Sequence, residues 1–255
     1  MWPFTRHYSL LDSGILAGGT DWHCHILPGV DDGIRTMKES LEVLAFHEQT
    51  GLREVWLTPH VMEDVPNEPD SLRARFEELR AAYLGPIRLH LAAENMIDNL
   101  FSERFEAGRL LTLGDAPAGE EPQRRAARPL LLVETSYFNP PMAFEDTLEE
   151  IREKGYTPLL AHPERYVYME RRDYLRLKDA GVKFQLNLMS LAGMYGRGAA
   201  EKGARLLQQG LYDFAGSDLH RLAPWQQAIS DKVLTHKQVE ALQALRERMD
   251  FFARV

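Results

Sequence analysis

Two histidines one residue apart, His23 and His25, are the first residues of this 255-residue chain whose spacing suggests chemistry. They lie in TDWHCHIL (20–27), an apolar run that reads as a strand. Side chains alternate across a strand, so the two imidazoles share one face and Cys24 takes the other. A turn with adjacent acids, Asp31 and Asp32, follows at once. Further along, His60, Glu94, Glu134, His162, Asp218 and His220 each stand at the end of a short apolar run. Taken with His23, His25 and Asp32 they make nine imidazole or carboxylate groups. Gathered in one place, such groups are unfavourable without cations among them. Nitrogen and oxygen donors without thiolate suit manganese, iron or zinc. Nine donors point to more than one ion, and multi-metal sites activate water and clamp the oxygens of phosphoryl transfer. Arg165, in HPER (162–165), and Arg221, directly after His220, are placed to bind phosphate oxygens through a planar guanidinium.

Groups so far apart in sequence need a scaffold that delivers them to one spot. Helical spacing of apolar residues predicts helices over 37–50, after Asp70, and over 144–154, 171–180, 199–209 and 236–253. Several stop at a glycine (Gly51, Gly155, Gly181, Gly210), as a left-handed helix cap requires. Strands are predicted at 20–27, 53–58, 87–93, 130–134, 157–161, 182–186 and 212–216, each ending near a polar residue. Alternating helices and buried strands imply a parallel sheet. Seven such units predict an α/β fold of the TIM-like barrel type, with the site at the carboxyl ends of the strands. Residues 20–255 read as one barrel domain, 1–19 as an N-terminal extension and 114–129 as a surface loop.

Composition excludes other classes. The 30 basic and 38 acidic residues give a net charge of −8, which argues against a general nucleic-acid binder. A single cysteine rules out an internal disulfide and a multi-cysteine zinc site. No apolar run reaches the roughly 20 residues of a membrane span, and the N-terminus does not read as a signal peptide. A cytoplasmic setting without membrane insertion is the expectation.

The motifs DWHCHILPGVDDG (21–33), LTPH (57–60), AAEN (92–95), VET (133–135), LAHPERY (160–166), LNLMSLAGMYG (186–196) and GSDLH (216–220) occur in one order along nearly the whole chain. In them the chain resembles the polymerase-and-histidinol-phosphatase superfamily, and within it the metal-dependent protein-tyrosine phosphatases of bacterial capsule and exopolysaccharide systems. The resemblance implies a distorted seven-stranded barrel with three divalent ions, manganese before iron or zinc. By position, one ion takes His23, His25, Glu94 and Asp218, a second Glu94, Glu134 and His162, and a third Asp32, His60 and His220. It further implies attack on phosphorus by a metal-bound hydroxide, with Arg165 and Arg221 holding the phosphate. Arg221 stands where relatives carry a small polar residue. The implied substrate is a phosphotyrosine protein, a bacterial tyrosine autokinase tail. Tyr137, Phe138, Tyr166, Tyr168 and Tyr195 are candidate walls for the tyrosine ring. A small-molecule phosphatase, such as one acting on histidinol phosphate, and a non-catalytic scaffold of the same fold are the alternatives.

Overall fold

The computed structural model describes residues 6–114 and 128–254, with side chains to residue 250. Almost all of the expected 114–129 loop and the first five residues of the expected extension lie outside these. In chain order the elements are α1 (Leu10–Ser13), β1 (Thr20–Cys24), α2 (Met37–Thr50), β2 (Glu54–Leu57), β3 (His60–Val61), α3 (Pro69–Ala82), β4 (Arg88–Leu91) and β5 (Glu94–Met96). Then come α4 (Phe101–Glu106), β6 (Leu130–Glu134), α5 (Phe144–Glu153), β7 (Thr157–Ala161), the 3-10 turn Pro163–Arg165, α6 (Arg171–Asp179) and β8 (Lys183–Asn187). Last are α7 (Leu188–Leu191), α8 (Gly196–Gln208), β9 (Phe214–Gly216), α9 (Leu222–Ser230) and α10 (His236–Arg254).

The strands pair in parallel as a curled α/β scaffold of two sheets, β1-β2-β4 and β3-β5-β6-β7-β8-β9. The expected single sheet of seven strands is thus divided. The segments expected at 53–58 and 87–93 each end early and resume, as β2 then β3 and as β4 then β5. The cause is local. Ala92 donates to the Leu57 carbonyl at 2.9 Å and Glu94 to that of Pro59 at 3.0 Å. Between them Pro59, which has no N–H, cannot supply the next rung. On the other side β9 and the residues after it approach β1. The Asp218 N–H donates to the His23 carbonyl at 2.8 Å, and the His25 N–H to that of Leu219 at 3.0 Å.

Local signals account for the elements. Thr36 and Glu39 form a reciprocal capping box at the start of α2, and Gly51 closes it at φ 83°. Gly155, Gly181 and Gly210 follow their helices with the same sign of φ. β6 is buried at every position, as its unbroken Leu-Leu-Leu-Val run demands. Helices pack outside: Leu72, Phe76 and Leu79 of α3, Leu148 and Ile151 of α5, and Leu242 and Leu245 of α10 are all buried. Residues 6–19 are integrated into this core, with Leu10, Ile15 and Leu16 buried and Tyr8 bonded to Leu234 in both directions at 2.9 Å. Among the described residues no helix is long and apolar enough to cross a membrane.

Candidate metal centre at the strand ends

Parallel strands put all their carboxyl ends on one side, and the polar residues that end them meet there. His23 is in β1 and His25 just beyond it; their Nε2 atoms stand 3.0 Å apart. Register does the next part: His60 pairs with Glu94 across β3 and β5, and Met96 pairs with Glu134 across β5 and β6. His162 follows β7, and Asp218 and His220 follow β9. His162 at φ 33° and Asp218 at φ 51° adopt a left-handed backbone, as does Ala143. For residues with a Cβ this costs on the order of 1–3 kcal/mol each, and it aims the side chain back over the strand end.

Glu94 is the hub. Its Oε2 lies 3.2 Å from His23, 3.3 Å from His25 and 3.1 Å from His60, and its Oε1 lies 2.9 Å from His162. Asp218 Oδ1 is 3.5 Å and 3.4 Å from the first two imidazoles. Glu134 Oε1 lies 3.0 Å from His60, and its Oε2 3.8 Å from His162. At the rim, Asp32 Oδ1 reaches His220 at 3.3 Å and His60 at 3.6 Å. Three groupings close enough to share an ion result: His23, His25, Glu94 and Asp218; His60, Glu94 and Glu134; and His25, Asp32, His60 and His220. Eight of the nine expected groups fall in these groupings; His162 is in none of them and meets the cluster through Glu94 Oε1 at 2.9 Å, so the memberships differ from those the resemblance implies. His60 joins Glu94 and Glu134, because its ring offers Nδ1 to them and Nε2 to Asp32.

Cation chemistry fits these residues. Glu94 Oε2, Glu134 Oε1, His60 Nδ1 and His162 Nδ1 are buried without a hydrogen bond of good geometry. Unsatisfied buried carboxylate oxygens are costly, and a divalent ion is the partner that removes the cost. Burial works against charge on Glu94, but His23, His60 and His162 outweigh it and hold the carboxyl well below the ordinary range. Burial and His25 oppose a proton on His60, yet Glu94 and Glu134 push its pKa up to about 10. Back-side acceptors fix several rings. His23 Nδ1 meets Gln185 Oε1 at 3.1 Å, and His220 Nδ1 meets the Asp218 carbonyl at 2.9 Å. A carbonyl accepts only, so each Nδ1 carries the proton and each Nε2 faces the centre.

Arg165 enters beside the cluster. It donates to Asp218 Oδ2 at 2.9 Å, and its guanidinium lies 4.3 Å from the Tyr137 ring centroid and 4.0 Å from that of Tyr195. Arg221 is turned differently: its Nη1 donates to the carbonyls of Asp32, Gly33 and His220, each at 2.6 Å. Of the five aromatic candidates, Tyr137 and Tyr195 flank Arg165 and Phe138 is exposed. Tyr166 is fully buried, its hydroxyl donating to the Ala161 carbonyl at 3.0 Å, and the Tyr168 hydroxyl meets Thr135 Oγ1 at 2.7 Å. Cys24 is buried on the other face of β1, donating to the Trp56 carbonyl at 3.3 Å, and burial raises its thiol pKa well above the usual value. Sequence reasoning passed over Gln185, Asn187 (which donates to Asp218 Oδ2 at 2.6 Å) and Asp31. Only the strand-end position of Asn187, a polar Gln185 between apolar neighbours in β8, and the doubled acid of Asp31-Asp32 gave any sign of them.

Fold and site together define an α/β protein with a convergent histidine and carboxylate centre at the mouth of a curled parallel sheet. The family model described as Capsular polysaccharide synthesis, CpsB/CapC matches residues 19–238, and the chain belongs to that family. It is 28% identical to Tyrosine-protein phosphatase YwqE of Bacillus subtilis (strain 168) over 208 residues, covering 79% of this chain and 77% of that protein. It is 25% identical to Tyrosine-protein phosphatase CpsB of Streptococcus pneumoniae over 213 residues, covering 79% of this chain and 83% of that protein. A solved structure described among those of YwqE from Bacillus subtilis and CpsB from Streptococcus pneumoniae, unique metal-dependent tyrosine phosphatases, superposes with a TM-score of 0.74 at 25% identity, over 92% of this chain and 94% of the other.

Proposed function

We propose that the chain is a metal-dependent protein-tyrosine phosphatase of capsule or exopolysaccharide systems. The observation that carries the reading is the convergence of eight imidazole and carboxylate groups, with His162 against Glu94, around buried, unsatisfied carboxylate oxygens, with Arg165 at their edge. Membership of the CpsB/CapC family and the named activities of YwqE and CpsB support it. We read the strands as seven staves of a distorted TIM-like barrel, with β2 and β3 one stave and β4 and β5 another.

Three divalent ions, manganese before iron or zinc, would be held by His23, His25, Glu94 and Asp218; by Glu94 and Glu134 with His60 or His162; and by Asp32, His60 and His220. Bound there, they supply an activated water and Lewis-acid stabilisation of the phosphoryl oxygens. The chain's own residues do the rest. Glu94 and Asp218 hold negative charge at the floor of the site. Gln185 and the Asp218 carbonyl keep the Nε2 lone pairs of His23 and His220 free. Arg165, oriented by Asp218 and flanked by two tyrosine rings, presents its remaining N–H donors to the phosphate. Tyr137 and Tyr195 border the position where the substrate ring enters. Arg221 steadies the Asp32 and His220 loops through their carbonyls and offers the phosphate what donors remain. The substrate is read as a phosphotyrosine segment of a bacterial tyrosine kinase tail, and the setting as cytoplasmic.

Metal analysis coupled to a phosphatase screen tests this. Manganese-loaded protein is expected to release phosphate from phosphotyrosine peptides in preference to phosphoserine peptides and histidinol phosphate. Higher kcat/KM on histidinol phosphate would overturn the protein-phosphatase reading, and full metal occupancy without turnover would favour a scaffold.

A further inference from the structure

We propose that Asp31, the first acid of the Asp31-Asp32 pair, is a positioning residue that holds His25 in its metal-binding orientation; this rests on the metal centre read above. Asp32 points to the rim and is largely exposed, whereas the Asp31 side chain is completely buried behind His25. One oxygen, Oδ2, accepts from His25 Nδ1 at 2.9 Å and from the His60 backbone N–H at 3.0 Å. The other, Oδ1, accepts from the Gly33 N–H at 2.9 Å. Asp31 is in none of the three groupings that could share an ion.

The turn is shaped to put the carboxylate there. Ile34 donates to the His25 carbonyl at 2.9 Å and Gly29 to that of Ile34 at 2.8 Å, folding residues 29–34 back over the end of β1. Gly33 permits the fold: a Cβ there would stand 2.1 Å from the His25 carbonyl oxygen and 2.8 Å from Asp31 Oδ1. The consequences are two. With its Nδ1 proton engaged, His25 presents Nε2 to Glu94 and Asp218, and a carboxylate behind the ring makes that nitrogen a stronger donor. By also gripping the His60 N–H, the same oxygen joins His25 to the first residue of β3. It thereby fixes the spacing between the deep grouping and the rim grouping. Gln185 and a main-chain carbonyl back His23 and His220, so His25 alone of these three has a charged partner.

Asp31→Asn keeps the shape but confronts backbone or imidazole donors with an NH2 group. Its affinity for manganese, measured by chelator competition on the full chain, is expected to fall 10- to 100-fold. Its circular dichroism should stay close to wild type, while the Tm of the metal-free protein falls by about a few degrees as one buried donor loses its acceptor. A residue with only a structural role would lower the Tm and leave metal affinity alone, so that pattern, or wild-type affinity, overturns the inference. Should the variant fail to fold, 15N NMR of zinc-loaded wild type decides: a proton on His25 Nδ1 supports the assignment and its absence overturns it. If the wild-type chain itself binds no metal, the metal-centre reading fails; if it binds and Asp31→Asn binds equally well, only this inference fails.

Discussion

In the proposed function Arg165 is a side chain prepared for an anion before any anion arrives. A guanidinium held by one carboxylate and by two ring faces has few rotamers left to lose. Arg165→Ala is expected to lower kcat/KM on a phosphotyrosine peptide by about 10²-fold, as loss of a preorganised transition-state donor does. Metal content should be unchanged, and wild-type kinetics would remove Arg165 from the site. His162 carries a different cost, its left-handed backbone. His162→Gly relieves the strain but leaves Glu94 Oε1 without its partner at 2.9 Å and a void where the ring stood, so the metal-free protein should be destabilised by about 1–3 kcal/mol in urea unfolding while turnover is lost. Retained activity would show that His162 is not needed. At this scale the sequence was informative about residue type and silent about direction. Histidines and acids ending apolar runs could be picked out because such positions rarely need polarity. Which of Asp31 and Asp32 faces inward, and which way the Arg221 guanidinium turns, depends on a turn whose geometry only the fold supplies.

The elements place these groups through register, and register is closed by Asp21. Its buried carboxylate accepts from Ser217 Oγ at 2.6 Å, from the Ser217 N–H at 2.8 Å and from the His23 N–H at 3.2 Å. It therefore ties β1, which carries His23, to the segment that carries Asp218. Asp21→Ala leaves those buried donors unpaired and should cost on the order of 2–4 kcal/mol, read by urea unfolding; a change below 1 kcal/mol would mean that β9 and β1 are held by their main-chain bonds alone. Most elements were legible because helices announce themselves by spacing and by the glycines that end them. The helices α1, α4, α7 and α9 were not: the first three are too short to establish a period, and Pro224 interrupts the pattern near the start of α9. Nor was the division of two strands at Pro59 and beside it, since a single missing N–H leaves the hydrophobic pattern intact.

The whole molecule also responds to pH through buried groups that are not among the nine. His47 of α2 is buried edgewise against Trp225, with neither ring nitrogen hydrogen-bonded, and burial lowers its pKa to about 4. The unfolded chain takes a proton on this ring near pH 6.5 and the folded one resists it, so stability is full above that pH and drains away as pH falls toward 4. At pH 5 the loss from this one group is about 2 kcal/mol relative to pH 7. Asp21 acts in the opposite sense, because burial raises its pKa to about 6 and the folded state gains stability as pH falls from there toward 3.8. Comparing wild type with His47→Leu isolates the histidine: the variant should lose less stability between pH 7 and pH 5, and parallel curves would dismiss the effect.

Pro59 adds something of a mechanical kind. The absent rung lies just below the level at which His60 stands beside Glu94, and just above the paired run of β2 with β4. A missing rung leaves a kind of expansion joint, a seam at which the collar of His60 and Glu94 is expected to open more readily than the frame beneath it. Hydrogen exchange should register the seam as faster opening of the Glu94 amide, bonded to the Pro59 carbonyl, than of the Ala92 amide, bonded to the Leu57 carbonyl, in metal-free protein. Equal rates would mean that collar and frame move as one piece.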